Sequence, residues 1–242
     1  MPIRINKYLA DRGIASRRAI DALIIQRRVT VNGSVLDQPG YQVKPPDVVA
    51  VDGKRVTRPV PHRRYIVLNK PLNCITTSSD ARGRSTVLDY IDIGERVFPI
   101  GRLDKQTTGV LLLTNDGELA NTLMHPRYSV EKIYRAYLDK PFTKKDRHCF
   151  ESGIMLDHKK TASCGARYYQ GNKRDIIVTL HEGRNRQIHR MFQSLGYSVL
   201  RLDRTSYAGL TAGVLQRGEW RELTVNEING IKQLILTPRQ SA

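Results

Sequence analysis

The stretch Gly101-Arg102-Leu103-Asp104-Lys105-Gln106-Thr107-Thr108-Gly109 sets one carboxylate, Asp104, between two cations, Arg102 and Lys105. The apolar run Val110 to Leu113 and the turn Thr114-Asn115-Asp116-Gly117 follow. This is the pattern of a strand end, a polar loop, an apolar strand and a turn. A carboxylate beside cations on a loop between strands suits a site that handles a charged substrate. A surface loop with a local ion pair has the same residues. No other carboxylates cluster around Asp104 in the sequence, as a metal-dependent nuclease would require.

A second constellation is cationic. Arg4, Lys7, Arg12, Arg17, Arg18, Arg27 and Arg28 lie between the apolar positions of the first thirty residues. Arg17 and Arg18 fall in the first turn of a predicted helix, where free backbone N–H groups already favour a phosphate. The bland alternative is a solvated helix face. The whole chain has 40 Lys+Arg against 23 Asp+Glu, a formal charge of +17 over 242 residues. Such an excess points to a polyanionic partner, because each neutralised phosphate releases counterions.

The elements that hold these residues are legible from periodicity. Ile5, Tyr8 and Leu9 have helical spacing, with Gly13 as a stop. Ser16 caps a second helix carrying Ile20, Leu23 and Ile24. Val29 to Val31, Asn32-Gly33 and Ser34-Val35 form a strand, a tight turn and a strand, and a further strand runs from Val48 to Val51. A basic, proline-containing stretch around Thr57 to Arg64 is a linker. Short β-branched runs follow at Tyr65 to Leu68, Val97 to Ile100, Val110 to Leu113, Ile133 to Leu138 and Ile176 to Leu180. Helices are expected from about Asp116 through Leu123 and from Gln187 to Leu195. The fold class is α+β: a small helix–helix–hairpin domain (residues 1–58), a linker (59–64), and a domain (65–242) with a largely antiparallel mixed sheet flanked by helices.

No run approaches the ~20 apolar residues of a membrane span, and Met1 to Ile5 has no signal-peptide core. Cys74, Cys149 and Cys164 are odd in number and far apart. They fit neither a disulfide framework nor a zinc site, and suit a reducing cytosol.

Longer motifs carry a family resemblance. "RINKYLADRGIASRRAIDALIIQRRVTVNG", within residues 3 to 50, looks like an S4 domain, an RNA-binding module. "GRLDKQTTGVLLLTNDGELA" resembles the signature of the RsuA/RluB family of pseudouridine synthases. "LNKPLNCITTSSDARGRSTVLDYI", "HPRYSVEKIYRAYL", "LHEGRNRQIHRMFQSLGYSVLRLDRTSYAGL" and "RGEWRELT" match too. The resemblance runs from about residue 3 to residue 230. It implies that Asp104 is the essential aspartate and that Tyr134 is the ring stacked on the target base. A core tyrosine on an edge strand is the alternative for Tyr134. It also implies that Leu180 to Arg190 closes the site with a cation, and that Lys70-Pro71 is a structural element at the pocket edge.

The implied chemistry explains the residue types. Uridine leaves its sugar at N1, turns while held, and rejoins through C5. There is no redox change, so neither a nucleotide cofactor nor a metal is required. Asp104 stabilises or traps the electron-poor sugar, as in glycoside hydrolysis, or removes a C2′ proton to give a glycal. A nearby cation would keep Asp104 ionised. The target nucleotide must be flipped out of structured RNA, and Arg102 is a candidate to fill the vacated space or hold phosphate.

Two positions depart from the family pattern. Asn73 stands where Gly is usual, and Asn tolerates positive φ better than most residues. His189 stands where the family usually has Arg or Lys. A His189⁺–Asp104 pair would raise the imidazole pKa above its ~6.5 reference; Arg186 and Arg190 are the substitutes. The RNA-contacting set is expected to be Arg4, Lys7, Arg17, Arg18, Arg27, Arg28, Lys70, Arg102, Lys105, Arg184, Arg186 and Arg190. The expected activity is uridine-to-pseudouridine isomerisation in ribosomal RNA, with large-subunit RNA favoured by the form of "GRNRQIHRMF". The alternatives are a small-subunit enzyme and an inactive S4-domain assembly factor. The expected partner is ribosomal RNA or a pre-ribosomal particle. A cytoplasmic monomer without metal or membrane association is expected.

Overall fold

The computed structural model describes residues 2–57, 59–78, 80 and 82–236. Arg58, in the basic stretch before the second domain, lies outside them. The chain divides into two compact units, Met1–Arg63 with Gly94–Arg96, and Arg64–Ile93 with Val97–Ala242.

In the first unit, α1 (Ile5–Asp11) and α2 (Arg17–Ile25) bury Ile5, Leu9, Ile20 and Ile24 completely. Spacings of four put each pair on one helix face. Ser16 accepts a hydrogen bond from the Ala19 N–H and so caps α2. These side chains pack on β1 (Val29–Val31) of an antiparallel sheet in the order β2-β1-β3-β4, with β2 Ser34–Leu36, β3 Val49–Val51 and β4 Lys54–Arg55. Asn32 and Gly33, at φ 52° and 85°, make the two-residue turn between β1 and β2. A two-residue pairing of Ile3–Arg4 with Gln42–Val43 completes this unit.

The second unit is built on an eight-stranded sheet. Its strands are β5 (Tyr65–Lys70), β6 (Phe98–Pro99), β7 (Thr107–Thr114), β8 (Lys132–Leu138), β9 (Gly165–Tyr169), β10 (Asn172–Leu180), β11 (Val199–Tyr207) and β12 (Trp220–Glu222). The order is β9-β10-β8-β11-β7-β5-β12, with β6 on β7. Among these pairings only β11 with β7 is parallel. The α+β class with a largely antiparallel mixed sheet therefore holds. The run at Val97 to Ile100 forms only the two-residue β6, while the others lengthen to six to nine residues. Strand β8 lies in the sheet interior, between β10 and β11, so Tyr134 is not on an edge.

Helices cover the sheet on both faces. α3 (Gly117–Met124), capped by the Asp116 carboxylate, and α6 (Val225–Leu236) pack Leu119, Leu123 and Ile231 against Val110 and Leu112. On the opposite face Leu111 and Leu113 meet Val87, Val97 and Leu103. α4 (Lys144–Glu151) and α5 (Gln187–Ser194) bring Phe150, Ile188, Met191 and Phe192 onto Ala136, Ile176 and Val178. Phe142, Phe150 and Phe192 are fully buried, each burial stabilising by roughly 1.5–3 kcal/mol. This core fixes α5 over β8 and β10, and so fixes the loop that enters α5.

Candidate active site

Asp104 lies on the loop between β6 and β7. Three residues, the last of β5 and two from the segment after it, hold that loop. The buried Thr76 hydroxyl donates to Leu103 O at 2.8 Å and accepts from Leu103 N at 3.2 Å. Asn73 N donates to Lys105 O at 3.0 Å, and Asn73 adopts φ 61°. The turn thus survives with Asn in the usual glycine position, because Asn tolerates the left-handed region. Lys70, 0 % exposed, donates to Thr107 O at 2.9 Å and Pro71 O at 3.0 Å. A bond from Thr107 N to Asp104 O closes the loop at 3.0 Å. Among the described residues no hydrogen bond or ion pair takes up the Asp104 carboxylate. It is half-buried and faces a cleft of about 680 Å³.

The sheet supplies the wall of this cleft. Parallel pairing sets Leu202, Asp203 and Arg204 of β11 beside Thr107, Thr108 and Gly109 of β7. Tyr134 of β8 pairs with Arg204 on one side and Val178 on the other. Paired residues share a face of the sheet, so Tyr134 and Arg204 point the same way, and both line the cleft with Asp104. Lys132, two residues before Tyr134, is on that face too.

The third side is the loop from His181 into α5. Gln187 is buried; it accepts from Arg184 N at 3.0 Å and donates to Glu182 at 2.7 Å. Arg186 caps α5 in the left-handed conformation, φ 48°. Arg186 and His189 line the cleft beside Asp104. A larger recess of about 1120 Å³ borders the same three residues from the other side of β11. Its basic groups are partly committed, Arg135 to Asp175 at 2.7 Å and Arg217 to Asp203 at 2.7 Å. The smaller cleft holds Tyr134 as well as Asp104, so the chemistry is assigned there.

Charge in the cleft is unbalanced. Burial, with the nearby Arg204 guanidinium, pulls Lys70 down to about 8, against the pull of Cys74 and Asp104. Burial and Arg204 likewise bring Lys132 to about 8, with Glu182 opposing. His189 moves below its ordinary value because burial and then Arg186 outweigh Asp104. This corrects the expected rise: the imidazole is desolvated beside a guanidinium, and the carboxylate is the weakest of its three influences.

Other expected residues separate by what they touch. Arg4, Arg17, Arg18 and Arg27 are exposed on the first unit. Lys7 pairs with Asp11 at 2.8 Å, and Arg28 makes a two-pronged bond to Asp52, each at 2.7 Å. Arg102 and Lys105 are exposed beside Asp104. Lys70, expected on RNA, is instead sealed beneath the Asp104 loop. Arg184 donates to Lys159 O and Lys160 O at 2.9 and 2.6 Å, and Arg190 pairs with Asp157 at 2.6 Å. Of the three arginines in "GRNRQIHRMF", Arg186 is the exposed one at the cleft. Sequence reasoning missed Lys132, Arg204 and Glu182. The signal for Arg204 was present: Leu202 and Arg204 are alternate positions of one strand, which puts a charge at a core-facing site.

Among the described residues no group of three or more His, Cys, Asp or Glu is placed to hold a metal ion, and no helix is long and apolar enough to cross a membrane.

Comparison with known proteins gives two family matches. Residues 64–194 match the family described as RNA pseudouridylate synthase, and residues 3–49 match the S4 domain. The chain is 42% identical over 236 residues to the ribosomal large subunit pseudouridine synthase B of Bacillus subtilis (strain 168), covering 96% of each chain. It is 36% identical to the dual-specificity RNA pseudouridine synthase RluF of Escherichia coli (strain K12), covering 96% of this chain and 79% of that one. A crystal structure of a pseudouridylate synthase superposes with a TM-score of 0.70 at 27% identity, covering 95% of this chain and 99% of the other.

Proposed function

The chain belongs to the RNA pseudouridylate synthase family, and on that premise we propose that it isomerises uridine in large-subunit ribosomal RNA, with Asp104 acting at the sugar. The observation that carries the site assignment is the Asp104 carboxylate, held through its loop backbone and left uncommitted among the described residues in the cleft that Tyr134 also lines. The RNA target rests on the similarity to the Bacillus subtilis enzyme, which extends over nearly all of both chains.

The geometry suits the reaction. A flipped uridine enters between Asp104 and Tyr134, at an unstacking cost of a few kcal/mol. Stacking on the tyrosine, worth ~1–3 kcal/mol, keeps the detached base from leaving. As the C1′–N1 bond breaks, positive charge develops at the sugar, and the carboxylate either bonds to C1′ or takes the C2′ proton. Arg186 supplies the fixed cation beside Asp104, because a guanidinium keeps its charge where His189 is neutral. Arg102 and Lys105, exposed at the rim, meet the RNA backbone or the vacated stack. The S4 unit adds affinity through Arg4, Arg17, Arg18 and Arg27. Every group used belongs to one chain, so a monomer is sufficient. A ribosomal RNA substrate supports a cytoplasmic location.

The test is incubation of the protein, with a chelator present, with large- and small-subunit rRNA from cells lacking the gene, followed by pseudouridine mapping. One new pseudouridine in large-subunit RNA is expected. Modification only of small-subunit RNA would overturn the target, and modification of neither would overturn the activity.

A further inference from the structure

We propose that Arg204, assisted by Lys132, receives the negative charge of the detached uracil and so acts on the leaving group while Asp104 acts on the sugar. This deepens the function proposed above and rests on it.

Arg204 is 2 % exposed. Its Nε donates to Val110 O at 2.7 Å and its guanidinium lies 4.7 Å from the centre of the Tyr207 ring, yet among the described residues its buried Nη2 has no hydrogen-bond acceptor. A buried guanidinium edge with no acceptor keeps its desolvation penalty uncompensated, so an unmet donor at a cleft points to an acceptor brought by the ligand. The residue lines the same cleft as Asp104 and Tyr134. Two further cations, Lys70 and Lys132, lie within electrostatic reach of Arg204; burial first, and its charge in addition, hold both below the usual lysine range. Such a cluster of buried like charges is costly unless an anion forms within it.

The reaction makes that anion. Heterolysis of the C1′–N1 bond leaves the electron pair on the base, with charge spread over N1, O2 and O4. Whichever way Asp104 treats the sugar, the base stays anionic until C5 bonds to C1′; C5 then loses its proton and N1 gains one. A half turn about the N3–C6 axis exchanges O2 with O4 and N1 with C5. One donor fixed at an oxygen position therefore serves the base before and after it turns. Preorganised donors aimed at developing charge are worth most in a dry site. Leu180, Ile188, Leu202 and Tyr207 give the cleft a buried, mostly apolar wall on which a planar ring can lie, beside the cations Lys132 and Arg186.

The experiment is single-turnover pseudouridine formation at saturating RNA, with RNA affinity measured alongside, for wild type, Arg204→Met, Arg204→Lys and Lys132→Met. The wild type must convert uridine; if it does not, the proposed function fails and the role of Arg204 is not the cause. Arg204→Met is expected to slow the chemical step by about 10²–10³-fold with affinity unchanged. Arg204→Lys, which keeps a positive charge at this position, should recover part of the rate. Lys132, half-buried and removable without loss of core, should show a smaller loss of the same kind. With 5-fluorouridine at the target, fluorine withdraws charge from the base and improves the leaving group. The Arg204→Met deficit in consumption of that nucleoside should then shrink. Equal deficits for both nucleosides, or no advantage of Lys over Met, would reduce Arg204 to a structural residue. Weakened RNA binding at an unchanged rate would place a phosphate there and overturn the proposal.

Discussion

Gly109 runs so close to the backbone of Arg204 that a Cβ built on it would lie 2.2 Å from the Arg204 carbonyl oxygen. Its φ of 104° is a conformation that other L-residues rarely adopt. This contact lets β7 and β11 pair in parallel, so that the Asp104 loop leading into β7 and Arg204 of β11 border one cleft. Gly109→Ala must push the strands apart. The expected loss of stability exceeds about 1 kcal/mol, read from denaturant unfolding. Activity should fall further than the unfolded fraction explains, at a temperature where the variant is folded. An active variant of unchanged stability would contradict the packing.

The pH profile should not belong to His189. Its folded pKa lies below the ordinary 6.5, so the ring is neutral at pH 7 and above and has no charge to lose on the alkaline side. Instead, the folded state is penalised as pH falls below the ordinary value and the buried ring takes up a proton. The buried lysines Lys70 and Lys132 sit at about 8. Raising pH through that value discharges them and weakens both the loop clamp and the anion site. Single-turnover rates should therefore fall through about pH 8. His189→Gln should keep that limb, while Lys132→Arg should make it shallower, since a guanidinium stays charged and only the share of Lys70 is left. Loss of the limb in His189→Gln would return the ionic role to His189.

Lys70 acts through the loop it holds. Lys70→Met removes the bonds to Pro71 O and Thr107 O and also removes a buried charge, so the two effects on stability oppose each other. The expected change in melting temperature is small. A loop displaced by about 1 Å can cost ~10²-fold in rate, so kcat should drop with RNA affinity retained. If KM rises and kcat is retained, Lys70 serves binding instead.

Much of this arrangement was legible in the residues, because local signals and tertiary contacts agree. Ser16 caps α2, Asn32-Gly33 turns β1 into β2, and the helices at Asp116 and Gln187 begin where their apolar spacing places them. Asp104 and Tyr134 were legible through motif resemblance, and the structure brings both to one cleft. The fate of the cations was not. Lys70 was expected at the pocket edge on RNA and Arg204 was not singled out; contacts between distant residues bury both. Arg184, Arg190 and Arg28 find their acceptors 24 to 33 positions away in the chain. Proximity in sequence cannot say which arginine keeps its donors free. The two-residue β6 fell short of its apolar run for a related reason: Val97 and Ile100 pack into the core from a bend instead of extending the ladder.

Affinity should reside in the first unit. Arg17 and Arg18 are exposed in the first turn of α2, whose free N–H groups favour a phosphate. Replacing both with Ala should weaken RNA binding and flatten its salt dependence by ~0.7–0.9 per lost phosphate contact. Single-turnover rates at saturating RNA should be unchanged. A salt slope equal to wild type would show that this face does not touch RNA.

The most direct measurement is pseudouridine formation by Asp104→Asn in a single turnover on large-subunit rRNA, with binding followed on the same RNA. Asn keeps the shape of the side chain and the loop bonds made by the backbone, but it can neither trap an electron-poor sugar nor accept its proton. Turnover should disappear while affinity stays close to wild type. Pseudouridine formed by Asp104→Asn at the wild-type rate would contradict the account.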